Sequence, residues 1–220
     1  MFGTLPGKPD TKADGRLARG VRTRIAVLDA AVALATAHGL DGLSLGQLAE
    51  QLGVSKSGLF AHWRSKEDLQ VATVDRAREQ WVEQVVLPAL HAPRGVRRLW
   101  ALHVRKIEFY ASGVLPGGCF FANAGFEYNV RSGPVHDHLV HVLDEWMGLI
   151  ERLATEAVQA GELDPATDPV QLAFEIDAAG VAMVYKSRLF DPQVAYAQSR
   201  AAVLTRLRGL CPDPALLPAS

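Results

Sequence analysis

Residues 43–69 read LSLGQLAEQLGVSKSGLFAHWRSKEDL, and this stretch gives the strongest indication of the fold. It contains two short segments whose apolar residues have helical spacing, and Gly53-Val54 joins them. Ser44 and Gln47 stand three residues apart, which is the spacing of a capping box at the start of a helix. Two short helices joined by a glycine-bearing turn are typical of a helix-turn-helix, so the stretch predicts this motif over residues 44–63.

The second of these helices suits a nucleic-acid groove better than a protein core. It is short and carries small polar residues, a glycine and one lysine, which allow a backbone to approach base edges and phosphates. A helix of a protein core would normally show a wider apolar stripe. A helix pair with a glycine turn also occurs as plain structure, so the pattern alone leaves both interpretations open.

The quoted stretch resembles the DNA-binding signature of TetR/AcrR-type transcriptional regulators. The similarity includes the Gly-Val-Ser turn, the aromatic positions around His62 and the Ser-Lys-Glu-x-Leu opening of the next helix, and it covers about residues 21–81. Looser similarity extends to LPGGCFFANAGFEY and AVQAGEL farther along. Two positions depart from the family: Phe60 stands where Tyr is usual, which removes a hydroxyl contact to phosphate, and Trp63 replaces the common Phe.

The resemblance implies an all-α protein of about nine or ten helices. An N-terminal three-helix helix-turn-helix domain would read DNA, and a C-terminal helical bundle would bind a ligand and dimerise. Helical periodicity and Gly or Pro breaks predict long helices over 21–38, 65–87, 95–111, 119–129, 135–160, 169–190 and 192–209. The predicted organisation is a flexible arm (1–20), the DNA-binding domain (21–81), the ligand-binding and dimerisation domain (82–210) and a disordered tail (211–220).

The candidate DNA-binding residues fall into three groups. Base edges and adjacent phosphates are expected to be contacted by Ser55, Lys56, Ser57, Gly58 and Ala61. Phosphates alone are assigned to Ser44, Gln47, His62 and Lys66, with help from the arginines of the arm. Phe60 and Trp63 complete the set, and we interpret them as groups that pack beneath this surface rather than stack on bases.

Charge and composition agree with a globular regulator. The chain has 49% hydrophobic and 21% charged residues and a net charge of −1, yet residues 16–66 carry seven basic and three acidic side chains. A locally basic segment on a neutral chain favours a polyanionic partner. No apolar run reaches the roughly 18–20 residues that cross a bilayer, the N-terminus lacks a secretory signal, and two cysteines form no disulfide framework. The expected location is therefore the cytoplasm, with no membrane partner.

A ligand pocket is predicted in the C-terminal bundle, where aromatic and polar residues are interleaved. The candidate lining residues are Trp81, Trp100, His103, Tyr110, Phe121, Asn123, Phe126, Glu127, Trp146 and Asp177. An ordinary core with surface aromatics is the alternative. The predicted effector is hydrophobic or aromatic and neutral or weakly charged.

A homodimer is predicted from the helices over 135–160 and 169–190. The first carries a Leu/Trp/Ile stripe and the second a run of small residues that permits close helix approach, although both could serve only the intrachain core. Such a dimer would bind a palindromic operator as a repressor and release it when an inducer binds.

Catalytic and metal-binding chemistry is not expected. The chain shows no Ser-His-Asp arrangement, P-loop or dinucleotide-binding fingerprint. His138 and His141 stand three apart, which we interpret as a polar helix face, and Cys119 as a buried thiol rather than a redox sensor. The protein is therefore expected to be no enzyme and to need no cofactor. An enzyme and a plain interaction module are the competing hypotheses, and the second predicts no DNA affinity.

Overall fold

A computed structural model describes residues 11–53, 55, 59 and 62–219, the side chains of 11–19 and 21 excepted. These residues contain helices and no strand, so the all-α prediction is confirmed. No helix in this described part is both long and apolar enough to span a membrane. The helices are α1 (Thr11–His38), α2 (Leu45–Leu52), α3 (Lys66–Trp81), α4 (Leu87–Leu90), α5 (Val96–Ala111), α6 (Phe120–Tyr128), α7 (Pro134–Gln159), α8 (Pro169–Leu189) and α9 (Pro192–Leu210).

Side-chain caps fix the starts of α2, α3, α8 and α9. Ser44 accepts a hydrogen bond from the backbone N–H of Gln47 (3.2 Å), and Ser65 caps α3 in the same way. Asp168 and Asp191 cap α8 and α9, each directly before a proline at the first helical position. Each cap satisfies an N–H that the helix itself cannot pair, and this sets where the helix begins.

The helix that begins at Lys66 does not end at Trp81. It continues through a π-helical turn, Val82–Val86, into α4. A π-turn changes the angular position of the side chains that follow, and such turns are common at functional sites. The predicted single helix from residue 65 to 87 is therefore one rod with a change of register near its C-terminal end.

Two large buried clusters hold the described chain together. One joins α1, α2 and α3 with α6 and the first half of α7, and the other joins α5, α7, α8, α9 and the π-turn. Phe120, Ala124 and Tyr128 of α6 are each less than 10% exposed within the first cluster. The N-terminal helices therefore share their core with α6 and α7 and do not form an independent unit.

The structure corrects both predicted flexible ends. α1 begins at Thr11, so the half of the predicted arm that lies in the described residues is helical. In the tail, Pro214–Leu216 form a 3₁₀ turn, and Leu217 is buried in the second cluster. The Arg208 guanidinium donates to the carbonyl groups of Pro218 (2.7 Å) and Ala219 (2.6 Å). The prolines of this segment predict disorder. The burial of Leu217 and the hydrogen bonds from Arg208 hold it in place instead.

Candidate functional site

Five of the six candidate DNA-facing residues that the structure describes are accessible. Gln47, Ser55, His62 and Lys66 are exposed, and Ser44 is half-buried. Ser44 and Lys66 stand at the starts of α2 and α3, where free backbone N–H groups favour phosphate. The Lys66 ammonium lies 3.1 Å from the carboxylate of Asp41, so an acid partly offsets its charge in the free protein.

Five candidates lie outside the described residues, namely Lys56, Ser57, Gly58, Phe60 and Ala61. Their base and phosphate contacts stay predictions.

Trp63 lies in the core and not on the predicted DNA-facing surface. It is only 2% exposed, and the Arg24 guanidinium lies 5.2 Å from the centroid of its ring. Burial prevents this ring from stacking on a base, which corrects its place among the direct contacts. It agrees with the interpretation that Trp63 packs beneath the surface.

A cavity of about 780 Å³ lies between α3, the π-turn and helices α5 to α8. Most of its lining is apolar, and aromatic rings dominate one side. The Trp81 and Trp146 rings meet edge to face with centroids 5.1 Å apart. The volume lies within the range of pockets that bind drug-sized molecules, about 300–1,000 Å³, and such pockets are also lined mainly by apolar and aromatic side chains.

A buried polar cluster interrupts this apolar wall. The Lys106 ammonium, on a residue 6% exposed, donates to the carboxylate of Asp177 (3.1 Å), and the indole N–H of Trp146 donates to the same oxygen (2.8 Å). A Cβ at Gly180 would lie only 2.3 Å from the Lys106 nitrogen, so glycine makes room for this side chain. A buried ammonium is tolerated where a carboxylate neutralises it, as here.

Tyr110 and Cys119 form a second polar contact on the wall. The Tyr110 hydroxyl donates to the sulfur of Cys119 (2.9 Å), which also accepts the backbone N–H of Ala122 (3.3 Å). Burial and the adjacent Cys119 raise the pKa of Tyr110 well above its usual value, so the hydroxyl stays neutral and remains a donor.

A more exposed ion pair borders the cavity. The Arg78 guanidinium donates to the Glu145 carboxylate at 2.6 Å, and this hydrogen bond lowers the pKa of Glu145. His138 pairs with Asp75 (2.7 Å), and His141 lies 3.5 Å from Glu145. Within the described chain no three His, Cys, Asp or Glu side chains group closely enough to hold a metal ion.

The structure brings six of the ten candidate pocket residues together around the cavity. They are Trp81, Tyr110, Phe121, Phe126, Trp146 and Asp177. Ligand binding by these residues stays a prediction. Sequence reasoning missed the cavity residues Arg78, Lys106 and Arg152. Lys106 had a usable signal, because it stands four residues before Tyr110 and beside the apolar Ile107 on a helix.

The prediction that Trp100 and His103 line this cavity is wrong. His103 is 1% exposed, and its Nε2 lies 3.2 Å from the backbone carbonyl of Ser199, on the side facing α9. Burial lowers the pKa of His103 to about 4, so the ring is neutral. Trp100 packs beside it, with ring centroids 6.2 Å apart. Trp100 belongs to the second buried cluster, and both side chains pack against α9, where the Arg200 guanidinium lies 6.0 Å from the centroid of the Trp100 ring.

The prediction is also wrong for Asn123 and Glu127, which face the N-terminal helices. The Glu127 carboxylate accepts the backbone N–H groups of Leu40 (2.7 Å) and Asp41 (2.9 Å). The Asn123 amide donates to the carbonyl of Thr36 (3.1 Å). α6 has two different faces: one lines the cavity, and the other packs in the first cluster through Phe120, Ala124 and Tyr128. The cavity-lining residues at α6 are Phe121, Ala122, Gly125, Phe126 and Asn129.

Part of the stripe predicted on α7 belongs to the intrachain core, and the dimer over α7 and α8 stays a prediction. Leu139, Ile150 and Leu153 are buried within the chain. An exposed apolar stripe does exist, but on α8, where residues spaced by helical turns are about 60% exposed. It consists of Val170, Phe174, Tyr185 and Leu189. An exposed apolar stripe of this kind marks an interaction surface.

Two family descriptions match separate parts of the chain. Residues 27–73 match the family described as bacterial regulatory proteins, tetR family. Residues 95–203 match the description tetracyclin repressor-like, C-terminal domain. The two matches correspond to the helix-turn-helix region and to the helices around the cavity.

Individual proteins show the same likeness. The HTH-type transcriptional repressor ComR of Escherichia coli (strain K12) is 27% identical over 153 residues, which is 68% of this chain and 72% of ComR. A TetR transcriptional regulator from Chloroflexus aurantiacus J-10-FL has a TM-score of 0.81 at 24% identity, covering 88% of this chain and 98% of that one. AibR, solved with isovaleryl coenzyme A and operator DNA, has a TM-score of 0.63 at 23% identity, covering 85% and 97%. At these identities the solved structures establish the fold.

Proposed function

The chain belongs to the TetR family of bacterial regulatory proteins, and from this premise we propose that it is a homodimeric repressor that a small molecule releases from a palindromic operator. One observation carries the proposal: α3 serves both regions. Its first turn, at Lys66, follows the helix-turn-helix, and its last residue, Trp81, lines the cavity. A ligand beside Trp81 would tilt this helix and change the spacing of two recognition helices in a dimer, so that only one state fits both half-sites.

DNA binding is tested first by selecting bound sequences from random DNA. Lys66→Ala should then weaken binding to all sequences by a similar factor and lower the salt slope by roughly one unit, because phosphate contacts carry affinity rather than sequence preference. Lys186→Ala is the matched control, since Lys186 is exposed on α8 and contacts Gln198. A Lys66→Ala variant with a changed preferred sequence would contradict the assigned role.

The homodimer follows from the exposed stripe on α8. Phe174→Glu places a charge in the middle of that stripe and should convert the dimer to a monomer with much weaker operator binding. Val130→Glu is the control, because Val130 is 91% exposed and lies after α6, away from the stripe. Light scattering that shows a wild-type monomer at micromolar concentration, with and without operator, would refute the dimer.

Release is tested by thermodynamic linkage. A compound that releases operator must bind operator-bound protein more weakly, by the same factor by which it weakens operator binding. Calorimetric titration of the compound into free and into operator-bound protein measures this factor. Equal affinities in the two states would show that the compound does not act through the cavity by this mechanism.

A further inference from the structure

The apolar part of the cavity fits a bulky hydrophobic body. Trp81, Trp146 and Tyr110 supply aromatic faces, and aliphatic side chains of the π-turn, α7 and α8 complete the wall. Aromatic side chains bind flat apolar groups through large contact areas. The body of the ligand is therefore apolar, and the charges around the cavity decide what head group it carries.

The acidic side chains of the lining are already occupied. One oxygen of Asp177 accepts both the Lys106 ammonium and the Trp146 indole N–H. Glu145 pairs with Arg78 at 2.6 Å. A site for an organic cation needs a carboxylate that is free to pair with it, and neither acid of this cavity is free.

The basic side chains are in excess. The lining contains Arg78, Lys106 and Arg152 against Glu145 and Asp177, which leaves one formal positive charge. Within the described part of the chain, Arg152 forms no ion pair or hydrogen bond, whereas the other two bases are paired.

The position of Arg152 places this free charge at the solvent end of the cavity. Arg152 is exposed, whereas Lys106 is 6% exposed and marks the closed end. A guanidinium nitrogen of Arg152 lies 3.2 Å from where a Cβ at Gly148 would stand, so the glycine one turn earlier lets it fold along α7.

From these contacts we propose that the effector is a hydrophobic monocarboxylate whose carboxylate pairs with Arg152 and whose body fills the aromatic part of the cavity. The inference rests on the proposed function only in taking this cavity as the effector site. Arg152 is the partner rather than Lys106, because a second carboxylate at Lys106 would be repelled by Asp177. A guanidinium presents two parallel N–H donors that match a carboxylate.

The test uses three fluorescent probes with one hydrophobic body and different heads: 1-pyrenebutyrate, 1-pyrenebutanol and pyrenebutyl-trimethylammonium. Binding to the full-length protein without DNA is followed by quenching of tryptophan emission, since Trp81 and Trp146 line the cavity. The butyrate should bind about tenfold more tightly than the alcohol, as expected for one charge-assisted contact. The ammonium probe should bind more weakly than both.

Two variants identify the partner. Arg152→Gln should remove the preference for butyrate over alcohol and leave alcohol binding unchanged. Arg97→Gln, an exposed arginine of α5 outside the cavity lining, should preserve the preference. Three results overturn the inference: the alcohol or ammonium binding as tightly as the butyrate, a butyrate preference that survives Arg152→Gln, or no binding of any probe to folded protein at millimolar concentration.

Operator release is measured separately from probe binding. The proposed release mechanism and the proposed ligand class can therefore be refuted independently. Butyrate binding that depends on Arg152 but leaves operator affinity unchanged would refute the effector mechanism and retain the ligand class. Release of operator by the alcohol as effectively as by the butyrate would retain the mechanism and refute the ligand class.

Discussion

Two helices, α3 and α6, connect the cavity to the N-terminal helices, and they do so with different chemistry. α3 contacts α1 through buried apolar side chains and through side-chain pairs, of which Arg76 with Asp29 (2.7 Å) is the shortest ion pair. α6 also buries apolar side chains in this core, but its polar contacts run from side chains to backbone. The two meet at one residue, because the N–H of Leu40 donates to Glu127 of α6 and its carbonyl accepts from Gln70 of α3 (2.9 Å).

The polar contacts of α6 are better suited than those of α3 to transmit a displacement. When two helices shift slightly, a pair of flexible side chains can adjust and keep its contact. A carboxylate that accepts two fixed backbone N–H groups cannot adjust in this way, so its hydrogen bonds break when either helix moves. α6 also carries Phe121 and Phe126 on the opposite, cavity-lining face. A ligand that displaces α6 would therefore act directly on the loop between α1 and α2.

The largest expected effect is at Gly117, in the turn before α6. A Cβ there would lie 1.6 Å from the carbonyl oxygen of Thr36, and the Gly117 N–H donates to the Thr36 hydroxyl (3.0 Å). Gly117→Ala should lower the free energy of unfolding by about 3 kcal/mol or more, because backbone on both sides has no room to move. Urea unfolding measures the cost.

Gly209→Ala provides the matched control. Gly209 lies in α9, and a Cβ there meets nothing within 4 Å. This change should be neutral or stabilising by about 0.5–1 kcal/mol, as for glycine replaced by alanine within a helix. Equal costs for the two variants would show that the α6 turn is not tightly held against α1.

The contacts of α3 and α6 can be compared only at pH values where the protein is stable, and His103 makes that stability depend on pH. Burial first, and then the positive charge of Lys106, lower the pKa of His103 to about 4, although its hydrogen bond to Ser199 opposes this. In the unfolded chain His103 binds a proton near pH 6.5, whereas in the folded chain it binds one only near pH 4. The free energy of unfolding therefore falls as the pH falls from about 6.5 to 4. The loss amounts to about 3 kcal/mol at its limit.

The measurement compares denaturation free energies at several pH values in wild type and His103→Gln. The variant should lose stability at pH 7 but show a flatter pH dependence between 6.5 and 4. His91→Gln, at an exposed position, should keep the wild-type slope. An unchanged slope in His103→Gln would mean that another group controls acid stability, and that α3 and α6 contacts must then be compared only near neutral pH.

The sequence predicts the parts of this molecule that depend on local signals. Caps such as Ser44 and Asp168 act on the next few residues, so the helix starts could be read directly from the chain. Contacts to distant backbone leave no such signal. Glu127 reaches across 87 positions to Leu40, and nothing in an aromatic, polar stretch distinguishes a carboxylate that faces a loop from one that faces a cavity.

The candidate pocket shows the same division. Trp81, Tyr110 and Trp146 could be predicted because large aromatics in a helical bundle are few and tend to converge. Trp100 is also a large aromatic residue, but it faces α9. The rotation of α5 about its own axis decides whether a residue faces α9 or the cavity. The packing of the whole bundle sets how each helix is rotated about its axis. The sequence of a single helix does not determine this rotation.

Leu40 contacts both helices, so substitutions around it separate the contribution of α6 from that of α3. Glu127→Gln leaves one of two backbone N–H groups without its charged acceptor and should cost about 1–2 kcal/mol of unfolding free energy. Gln70→Leu removes the α3 contact and should cost about 1 kcal/mol or less, because the Leu40 carbonyl still accepts the backbone N–H of Leu43 (3.3 Å). The two variants should differ in coupling: Glu127→Gln should reduce the factor by which a releasing compound weakens operator binding more than Gln70→Leu does.

Operator titrations with and without the compound measure that factor in each variant. A larger loss of coupling in Gln70→Leu would assign transmission to α3 and remove α6 from the pathway. Equal losses would show that both helices move the loop as one body, which also contradicts a special role for α6.

The smallest expected effect is at the side chain of Asp41, which forms ion pairs with Lys66 of α3 and with Arg131 just after α6. Hydrogen bonds from Lys66 and Arg131 lower the pKa of this carboxyl, but the side chain is 43% exposed. Asp41→Asn should therefore lower the melting temperature by roughly 2 °C or less at pH 7, because water and salt screen exposed ion pairs. The difference from wild type should vanish in 1 M NaCl, where the screening length is about 3 Å, while that of Glu127→Gln should persist. Removing Asp41 also frees Lys66 for phosphate, so operator affinity should rise at low salt. A salt-resistant loss of stability in Asp41→Asn would place this carboxylate with Glu127 among the contacts that hold the loop, and the contrast between charge pairs and backbone hydrogen bonds would fail there.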